Sequence, residues 1–305
     1  MSLTIVGTVA FDSVKTPHGQ AHKVIGGAAT FAGWSASYLH SDIRLISIIG
    51  EDWPREELEK MRSRGIDTDG IEIVPGGKSF YWEGEYDKNM IDRTTLTTDL
   101  NVLDDFNPIL PDKYKKTDYL MLGNLTPEIQ RTVIEQMESR PKLIVMDTMN
   151  FWIDIALDSL EATIRMVDVL SINDEEARLL SGEYNLLRAA DRILDYGIQY
   201  LIIKKGEHGA LLFSKDRMFF APALPLAEIA DPTGAGDSFA GGLMGYLAGQ
   251  SEITFEHMKM ALVYGAAMGS FCVEDFSIRK LQNLSSDQIN NRVEDLIELS
   301  RVEKL

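Results

Sequence analysis

The segment "EIADPTGAGDSFAGG", residues 228–242, places a glycine-rich turn before a run of small residues that predicts a helix starting near Gly236. The first amides of a helix have no partner within it, so the N–H groups of Gly234, Ala235 and Gly236 are predicted to be free. Glycines expose such amides without a Cβ in the way, and the helix N-terminus adds a partial positive charge. The sequence therefore predicts an anion-binding site here.

Asp237 stands at the rim of this predicted anion site. A neutral hydroxyl is a poor nucleophile, and a correctly placed base accelerates its reaction by ~10²–10⁴-fold. An anion hole beside a carboxylate therefore fits phosphoryl transfer to an alcohol, in which the hole stabilises the phosphoryl group and Asp237 takes the proton. The alternative is that Asp237 only caps the helix, but Asp231, Thr233 and the glycines accompany it.

Two better-known phosphate-binding motifs do not fit this segment. No Lys-Ser/Thr pair follows its last glycine, so it is not a P-loop. The glycine spacing and the late position in the chain also exclude a dinucleotide-binding fingerprint.

The composition of the 305-residue chain narrows the classes of partner. A net charge of −17 argues against nucleic acid and against an anionic membrane surface. A single cysteine, Cys272, excludes an internal disulfide and a cysteine-based metal cage. The first residues show no signal peptide, and no stretch is long and apolar enough for a membrane span, so we expect a cytoplasmic protein.

Apolar strand-like runs alternate with helix-like stretches along the chain, which predicts an α/β fold with a mostly parallel sheet covered on both faces. The predicted strands are residues 3–7, 44–50, 119–123, 143–147, 167–173 and 200–206. The predicted helices are residues 28–40, 127–139, 185–197, 236–249, 254–273 and 285–302. In such sheets, ligands bind beyond the carboxyl ends of the strands.

Residues 70–101 break this alternation. They carry β-forming residues and a "PGGK" turn, and so predict antiparallel strands inserted into the α/β domain. Such a small sheet beside a ligand-binding edge can serve as a lid, although a decorative hairpin would have the same pattern. We find no repeat and no linker, so we count one domain with an insertion.

The motif "DPTGAGDSFAGG" resembles the C-terminal signature of the ribokinase-like (PfkB) carbohydrate and nucleoside kinases. Three further segments are similar to family motifs in the expected order: "VIGGAATFAGWSASYLH" (24–40), "INDEEARLL" (172–180) and "IIKKGEHGALL" (202–212). The resemblance covers essentially the whole chain. It implies a three-layer α/β/α domain spanning residues 1–305, whose β lid comprises about residues 70–101 and about residues 12–24.

The resemblance also implies roles on the phosphate side. Asp237 is expected to be the catalytic base, and Gly234, Ala235 and Gly236 the anion hole. Asn173 and Glu176 fall in the motif that orders Mg²⁺ and the phosphates, with Glu176 reaching Mg²⁺ through water; the same residues also predict a helix start. The residues expected on the nucleotide side are Asn173, Lys204, Gly206, Gly209 and Thr233. Asp231 and Thr233 match positions that hold K⁺ in several relatives, and Lys204 stands where many relatives have a hydroxyl residue.

On the acceptor side, the resemblance assigns to Asp12 the grip on two sugar hydroxyls, which need a carboxylate acceptor. Gly26 and Gly27 approach the sugar by their backbone, and Asn124 ends a strand on the same edge. The lid offers Asn89 and Arg93, and an arginine would suit an acceptor with a carboxylate or phosphate.

The chain departs from the family pattern where the acceptor binds. Phe31 replaces an asparagine of many ribose- and adenosine-binding relatives, and the candidates for a second asparagine are Thr8 and Ala10. Either Thr8 or Thr30 substitutes for the missing amides, or the acceptor is not an ordinary ribosyl group. Thr30 and Phe31 are therefore included among the predicted acceptor-binding residues.

The sequence therefore predicts a kinase that uses ATP and Mg²⁺ to phosphorylate a hydroxymethyl group of a sugar or sugar-like acceptor. A ribonucleoside kinase of adenosine or inosine–guanosine type is the alternative, and a non-catalytic nucleotide-binding regulator is a third reading. The resemblance also allows a K⁺ ion, bound at Asp231 and Thr233, as a second cofactor. Exposed lid strands suggest a homodimer formed through the lid.

Overall fold

The structure of the protein, a computed structural model, describes residues 1–302. A nine-stranded sheet forms its centre, in the order β13-β12-β11-β10-β9-β8-β1-β4-β5. These strands are β1 (Leu3–Val6), β4 (Ile43–Gly50), β5 (Ile66–Val74), β8 (Tyr119–Leu122), β9 (Leu143–Asp147), β10 (Val169–Asn173), β11 (Tyr200–Lys204), β12 (Ala210–Phe213) and β13 (Met218–Ala221). The strands from β5 to β11 are parallel, and β12 and β13 extend the sheet antiparallel.

Helices cover both faces of this sheet. They are α1 (Ala28–Ala36), α2 (Arg55–Ser63), α3 (Pro127–Glu135), α4 (Asn150–Ile155), α5 (Leu157–Ile164), α6 (Asp174–Ser181), α7 (Leu186–Leu194), α8 (Ala235–Ala248), α9 (Phe255–Cys272), α10 (Arg279–Gln282) and α11 (Ser286–Leu299). Helices α1, α8 and α9 pack on one face, and α3, α5, α6 and α7 on the other.

Successive residues of a strand point to opposite faces of its sheet, and this explains why the strands read as continuous apolar runs. Ile5 of β1 belongs to the apolar cluster under α1 and α8, whereas its neighbour Val6 belongs to the cluster on the opposite face. The predicted parallel sheet with two covered faces is confirmed. All six predicted strands are present, with ends within two residues of the predictions.

A separate four-stranded sheet, in the order β3-β2-β6-β7, forms the predicted lid. Its strands are β2 (Ala10–Thr16), β3 (Gly19–Gly26), β6 (Tyr81–Tyr86) and β7 (Arg93–Asp99). Neighbouring strands are antiparallel, except that β2 and β6 run parallel. Pairing between two copies through its edge strands stays a prediction.

The predicted start of the insertion at residue 70 is wrong. Residues 70–74 belong to β5, which pairs in parallel with β4 at the edge of the large sheet. Its alternation of buried and exposed residues is that of an edge strand, which a sequence cannot distinguish from a lid strand. The lid therefore draws its second half from β6 and β7.

No helix within residues 1–302 is long and apolar enough to cross a membrane.

Candidate active site

Three polar residues meet at the carboxyl edge of the large sheet because they end neighbouring strands. Asp147 ends β9, Asn173 ends β10 and Lys204 ends β11. The register pairs Asn173 with Lys204, and Ser171 with Asp147, so the ends of β9 and β11 flank the end of β10. Lys204 Nζ spans this gap and donates a hydrogen bond to Asp147 Oδ2 at 3.0 Å.

The N-terminus of α8 has the backbone arrangement predicted for the anion site, with one difference. Gly234 precedes the helix in a left-handed conformation (φ 78°). The Ala235 N–H donates to the Pro232 carbonyl at 3.2 Å and is therefore not free. Within residues 1–302, the N–H groups of Gly234 and Gly236 have no hydrogen-bond partner. Two of the three predicted amides are thus available to an anion, because the turn at Pro232 uses the third.

The Asp237 carboxylate lies in the first turn of α8, in an environment that opposes its ionisation. Burial, together with the charge of Asp147, raises the pKa of Asp237 to about 7, although Lys204 and Arg93 oppose the shift. A carboxylate with a pKa near neutrality is well matched to act as a general base at neutral pH. Perturbed pKa values of this kind cluster at functional sites.

Asp12 faces the same space from the lid strand β2. Burial is the main cause that raises the pKa of Asp12 to about 7, and the charges of Asp231 and Asp237 add to it. The Gly27 backbone acts to lower the pKa of Asp12 against this burial. A Cβ at Gly26 would lie only 1.9 Å from Asp12 Oδ2, so the carboxylate occupies the space that this glycine leaves open. The structure therefore brings Asp12, Gly26 and Gly27 together.

Thr30 and Phe31 are buried in α1 in this structure, and their contact with an acceptor stays a prediction. Their exposed fractions are 0% and 2%. The Phe31 ring lies against the anion-hole turn, because a Cβ at Gly234 would come within 2.5 Å of its ring atoms. Helix α1 packs closely on α8 at Gly241, where a Cβ would lie 2.3 Å from the Ala32 carbonyl oxygen. This close packing buries the side chains of α1.

Thr8 and Asn124 have structural partners in this structure. Thr8 Oγ1 accepts a hydrogen bond from the Ala28 N–H at 2.9 Å, which caps the start of α1. Asn124 Oδ1 accepts from Trp152 Nε1 at 2.9 Å and its Nδ2 contacts Met149 Sδ, so its amide joins the end of β8 to α4. Contact of Asn124 with an acceptor stays a prediction.

The lid touches the anion-hole turn through Tyr86. Thr233 Oγ1 donates to Tyr86 Oη at 3.2 Å. Tyr86 pairs with Arg93 across β6 and β7, which places Arg93 at the site end of the lid. Although exposed, the Arg93 guanidinium lowers the pKa values of both Asp12 and Asp237 against the larger effect of burial. The lid thus brings a positive charge into the surroundings of Asp12 and Asp237.

Asn89 serves the turn at the lid tip. Its side-chain nitrogen donates to Asp92 Oδ2 at 3.0 Å, and its oxygen accepts from the Ile91 N–H at 3.0 Å. Both ends of the amide are therefore used within the turn. The structure does not bring Asn89 into contact with Asp12 or Asp237, and its role towards an acceptor stays a prediction.

Asn173 and Glu176 form a capping box at the start of α6. Asn173 Oδ1 accepts from the Glu176 N–H, and Glu176 Oε2 accepts from the Asn173 N–H, both at 2.7 Å. Burial is the main cause that raises the pKa of Glu176 to about 7, and Lys204 opposes it. The box uses only one carboxylate oxygen of Glu176, Oε2, and leaves Oε1 outside it.

This donor set fits Mg²⁺ as predicted. Mg²⁺ prefers oxygen ligands and keeps several of its waters, so one or two carboxylates and the substrate phosphates suffice. Residues 1–302 contain no group of three or more acidic, histidine or cysteine side chains that could enclose a metal ion. Glu176 would therefore act on Mg²⁺ from one side, through Oε1 or a bound water.

The remaining predicted residues lie in loops next to this edge. Gly206 is the first residue of the 3₁₀ turn that follows β11, Gly209 comes directly after that turn, and both have positive φ. Asp231 is buried, and its Oδ1 accepts from the Thr233 N–H at 2.8 Å, so the two predicted K⁺ ligands share one loop. Burial raises the pKa of Asp231. Their contacts with a nucleotide or K⁺ stay predictions.

Comparison with known families agrees with this architecture. The sequence profile of the pfkB family carbohydrate kinases matches residues 3–282. The chain belongs to this family of kinases.

Three relatives illustrate the range of the similarity. A cytidine kinase of Thermococcus kodakarensis is 28% identical over 258 residues, which cover 83% of this chain and 89% of the relative. A nucleoside kinase of Burkholderia thailandensis, solved with inosine, has a TM-score of 0.76 at 18% identity, with 97% and 99% of the two chains covered. A protein from E. coli assigned as ribokinase II, solved with ATP and Mg²⁺, has a TM-score of 0.79 at 18% identity, with 96% and 99% covered. The last two similarities show the fold alone.

Sequence analysis missed Asp147 and the contact of Tyr86. Asp147 closes the run "LIVMD" and was interpreted only as the end of a buried strand. A signal was present, because parallel strands end at a common edge and a carboxylate there faces the site. Tyr86 carried only a β-forming signal, and its contact with Thr233 bridges 147 residues of sequence.

Proposed function

We propose that this protein is an ATP-dependent kinase that phosphorylates a hydroxymethyl group of a sugar or sugar-like acceptor. The observation that carries the proposal is the pairing of two unbonded amides, of Gly234 and Gly236, with the Asp237 carboxylate in the same helical turn. Asp12, close enough for the Asp237 charge to raise its pKa, marks the acceptor side.

In the proposed reaction, Asp12 accepts hydrogen bonds from two hydroxyls of the acceptor and thereby points its hydroxymethyl group at Asp237. Asp237 takes the proton of that group, and the Gly234 and Gly236 amides hold the phosphoryl group. Mg²⁺, when bound beside Glu176, supplies charge neutralisation for the phosphates. Asn173, Gly206 and Gly209 lie on the side from which the nucleotide is proposed to enter.

A ribonucleoside is the second candidate acceptor. The Thermococcus kodakarensis relative, which matches most of both chains, is a cytidine kinase. The ribose of a nucleoside offers the same two hydroxyls and hydroxymethyl group to Asp12 and Asp237. Arg93, by contrast, would favour an acceptor with a carboxylate or phosphate group.

The test is a screen of ADP release with Mg²⁺ and ATP over sugars, sugar acids, sugar phosphates and nucleosides, with and without K⁺. We expect turnover with at least one acceptor that has a hydroxymethyl group. Stimulation by K⁺ would support a cation at Asp231 and Thr233. Binding of ATP without turnover on any acceptor would contradict the proposal and favour a non-catalytic nucleotide-binding protein.

The Gly26→Ala variant tests the acceptor grip. Its methyl group would meet Asp12 Oδ2 at 1.9 Å, so the carboxylate must move. Hydrogen bonds to a charged group contribute ~1.5–3 kcal/mol each, and 1.4 kcal/mol is tenfold in affinity. With an acceptor found by the screen, we expect its KM to rise by at least about tenfold while the KM for ATP stays unchanged.

Gly249→Ala, at the far end of α8, is the matched control for this variant. An equal rise in both KM values for Gly26→Ala would show that Asp12 supports the fold and not the acceptor.

A further inference from the structure

Lys204 and Asp147 form a largely buried ion pair to which the mechanism proposed above gives no role. The Lys204 Nζ to Asp147 Oδ2 distance is 3.0 Å, and the exposed fractions of the two side chains are 18% and 9%. The desolvation penalty for burying two charges can exceed the free energy gained from their attraction. A buried pair at the strand edge where ligands bind is therefore a candidate for a functional role.

Lys204 also reaches the anion hole. A Cβ at Gly236 would lie 3.6 Å from Lys204 Nζ, so the ammonium group stands beside the glycine whose amide is unpaired. An ammonium group has three donors. Among residues 1–302, only Asp147 accepts a hydrogen bond from it. An anion held by the Gly236 amide would therefore lie next to an ammonium group that still has free donors.

The electrostatics keep this ammonium group charged. Burial acts to lower the pKa of Lys204, but Asp147, Glu176 and Asp237 outweigh it and raise the pKa above its usual value. In turn, Lys204 lowers the pKa values of Asp237 and Glu176 against their burial. A charged lysine surrounded by carboxylates offsets part of the repulsion that a polyphosphate would meet there.

We infer that Lys204 is a catalytic residue that contacts the phosphoryl group held at Gly236, and that Asp147 is a positioning residue that holds Lys204 there. The inference rests on the proposed function. In the transfer, the acceptor oxygen forms a bond to the γ-phosphorus, and the bond from that phosphorus to the β–γ bridging oxygen breaks. The electron pair stays with ADP, and the hydroxyl proton goes to Asp237. Lys204 donates hydrogen bonds only and keeps its protons.

A cycle of three variants tests this inference: Lys204→Met, Asp147→Asn and the double variant. Loss of one preorganised donor to a developing charge costs ~10²–10³-fold in kcat. We expect Lys204→Met to lose about 10²-fold in kcat at saturating ATP and Asp147→Asn about tenfold. The double variant should be as slow as Lys204→Met, because Asp147 acts through Lys204.

The double variant is decisive because it removes both charges of the Lys204–Asp147 pair and keeps the side-chain volumes close to those of the wild type. Recovery of its kcat towards that of the wild type would overturn the inference, since Lys204 would then only neutralise Asp147. Losses that simply add would overturn the positioning role of Asp147. Lys204→Arg, which keeps the charge, should retain more activity than Lys204→Met.

Binding measurements without an acceptor separate this inference from the proposed function. By calorimetry, the double variant should bind the β,γ-imido analogue of ATP with Mg²⁺ at least about tenfold more weakly than the wild type. Its affinity for ADP should change less, because ADP lacks the γ-phosphoryl group. Equal losses for both ligands would overturn contact with that group. Failure of the wild type to bind either nucleotide would instead overturn the proposed function.

Discussion

The Asp237→Asn variant should lose ~10²–10⁴-fold in kcat, because no other carboxylate in the proposed mechanism takes the hydroxyl proton. Asparagine keeps the shape of the side chain, and it removes a negative charge beside the phosphates. The affinity for ATP should therefore stay equal or increase. The measurement is kcat from ADP release, together with nucleotide affinity by calorimetry.

The pH dependence follows from the same carboxylate. Because the pKa of Asp237 is raised to about 7, the base is increasingly protonated below neutrality. The value of kcat/KM for the acceptor should fall as the pH drops through about 7. Asp12, whose pKa is also raised to about 7, steepens that fall if it must be ionised to hold the acceptor.

As the pH rises, the contribution of the Asp237 carboxylate to stability should fall while the activity increases. A carboxylate whose pKa is higher in the folded than in the unfolded chain binds protons on folding between about pH 4 and 7, so its contribution lowers stability as the pH rises through that window. At pH 8, Asp237→Asn removes an unfavourable buried charge, and its melting temperature should be equal to or above that of the wild type. Stability at active sites is commonly exchanged for function in this way.

Asp295→Asn, on the exposed face of α11, is the control for the loss of one carboxylate. It should leave both kcat and the pH profile unchanged. Turnover of Asp237→Asn close to that of the wild type would contradict the assignment of the base.

Local sequence signals predicted the parts of the site that a single segment builds. The helix was predicted from Gly236 and begins at Ala235, and the motif around Asn173 and Glu176 forms one helix cap. Both features depend on residues within one helical turn, so their geometry is already specified by sequence spacing. The parallel sheet followed in the same way from the apolar runs.

Contacts between distant segments were not predictable from the sequence. The spacing could not show that α1 packs on α8 so closely that Phe31 lies under Gly234. The partner of Lys204, Asp147, lies 57 residues earlier in the chain. The two residues meet because their strands, β11 and β9, lie on either side of β10 and end at the same edge of the sheet. The hydrogen bond from the Ala235 N–H to the Pro232 carbonyl depends on the turn geometry, which the motif does not specify.

Two alanine substitutions in the anion-hole turn should separate folding from phosphate binding. Gly234 has φ 78°, a conformation that costs an L-residue ~1–2 kcal/mol, and a Cβ there would also meet the Phe31 ring at 2.5 Å. Gly234→Ala should therefore lower the melting temperature as well as the activity. Gly182→Ala, with φ 69° and open space around its Cβ, isolates the cost of the backbone conformation alone.

Gly236→Ala should lose activity without losing stability. The position is helical without a positive φ, and the contact that a Cβ would make there, with Lys204 Nζ at 3.6 Å, is an ordinary one. Alanine is the better helix former by about 1 kcal/mol, so stability should be kept or increase. The methyl group would nevertheless stand where the phosphoryl group must approach the Gly236 amide, and removal of such a donor costs ~10²–10³-fold in kcat. Melting temperature and ADP release measured on the same preparations provide the test, and a fully active Gly236→Ala enzyme would place the phosphoryl group elsewhere.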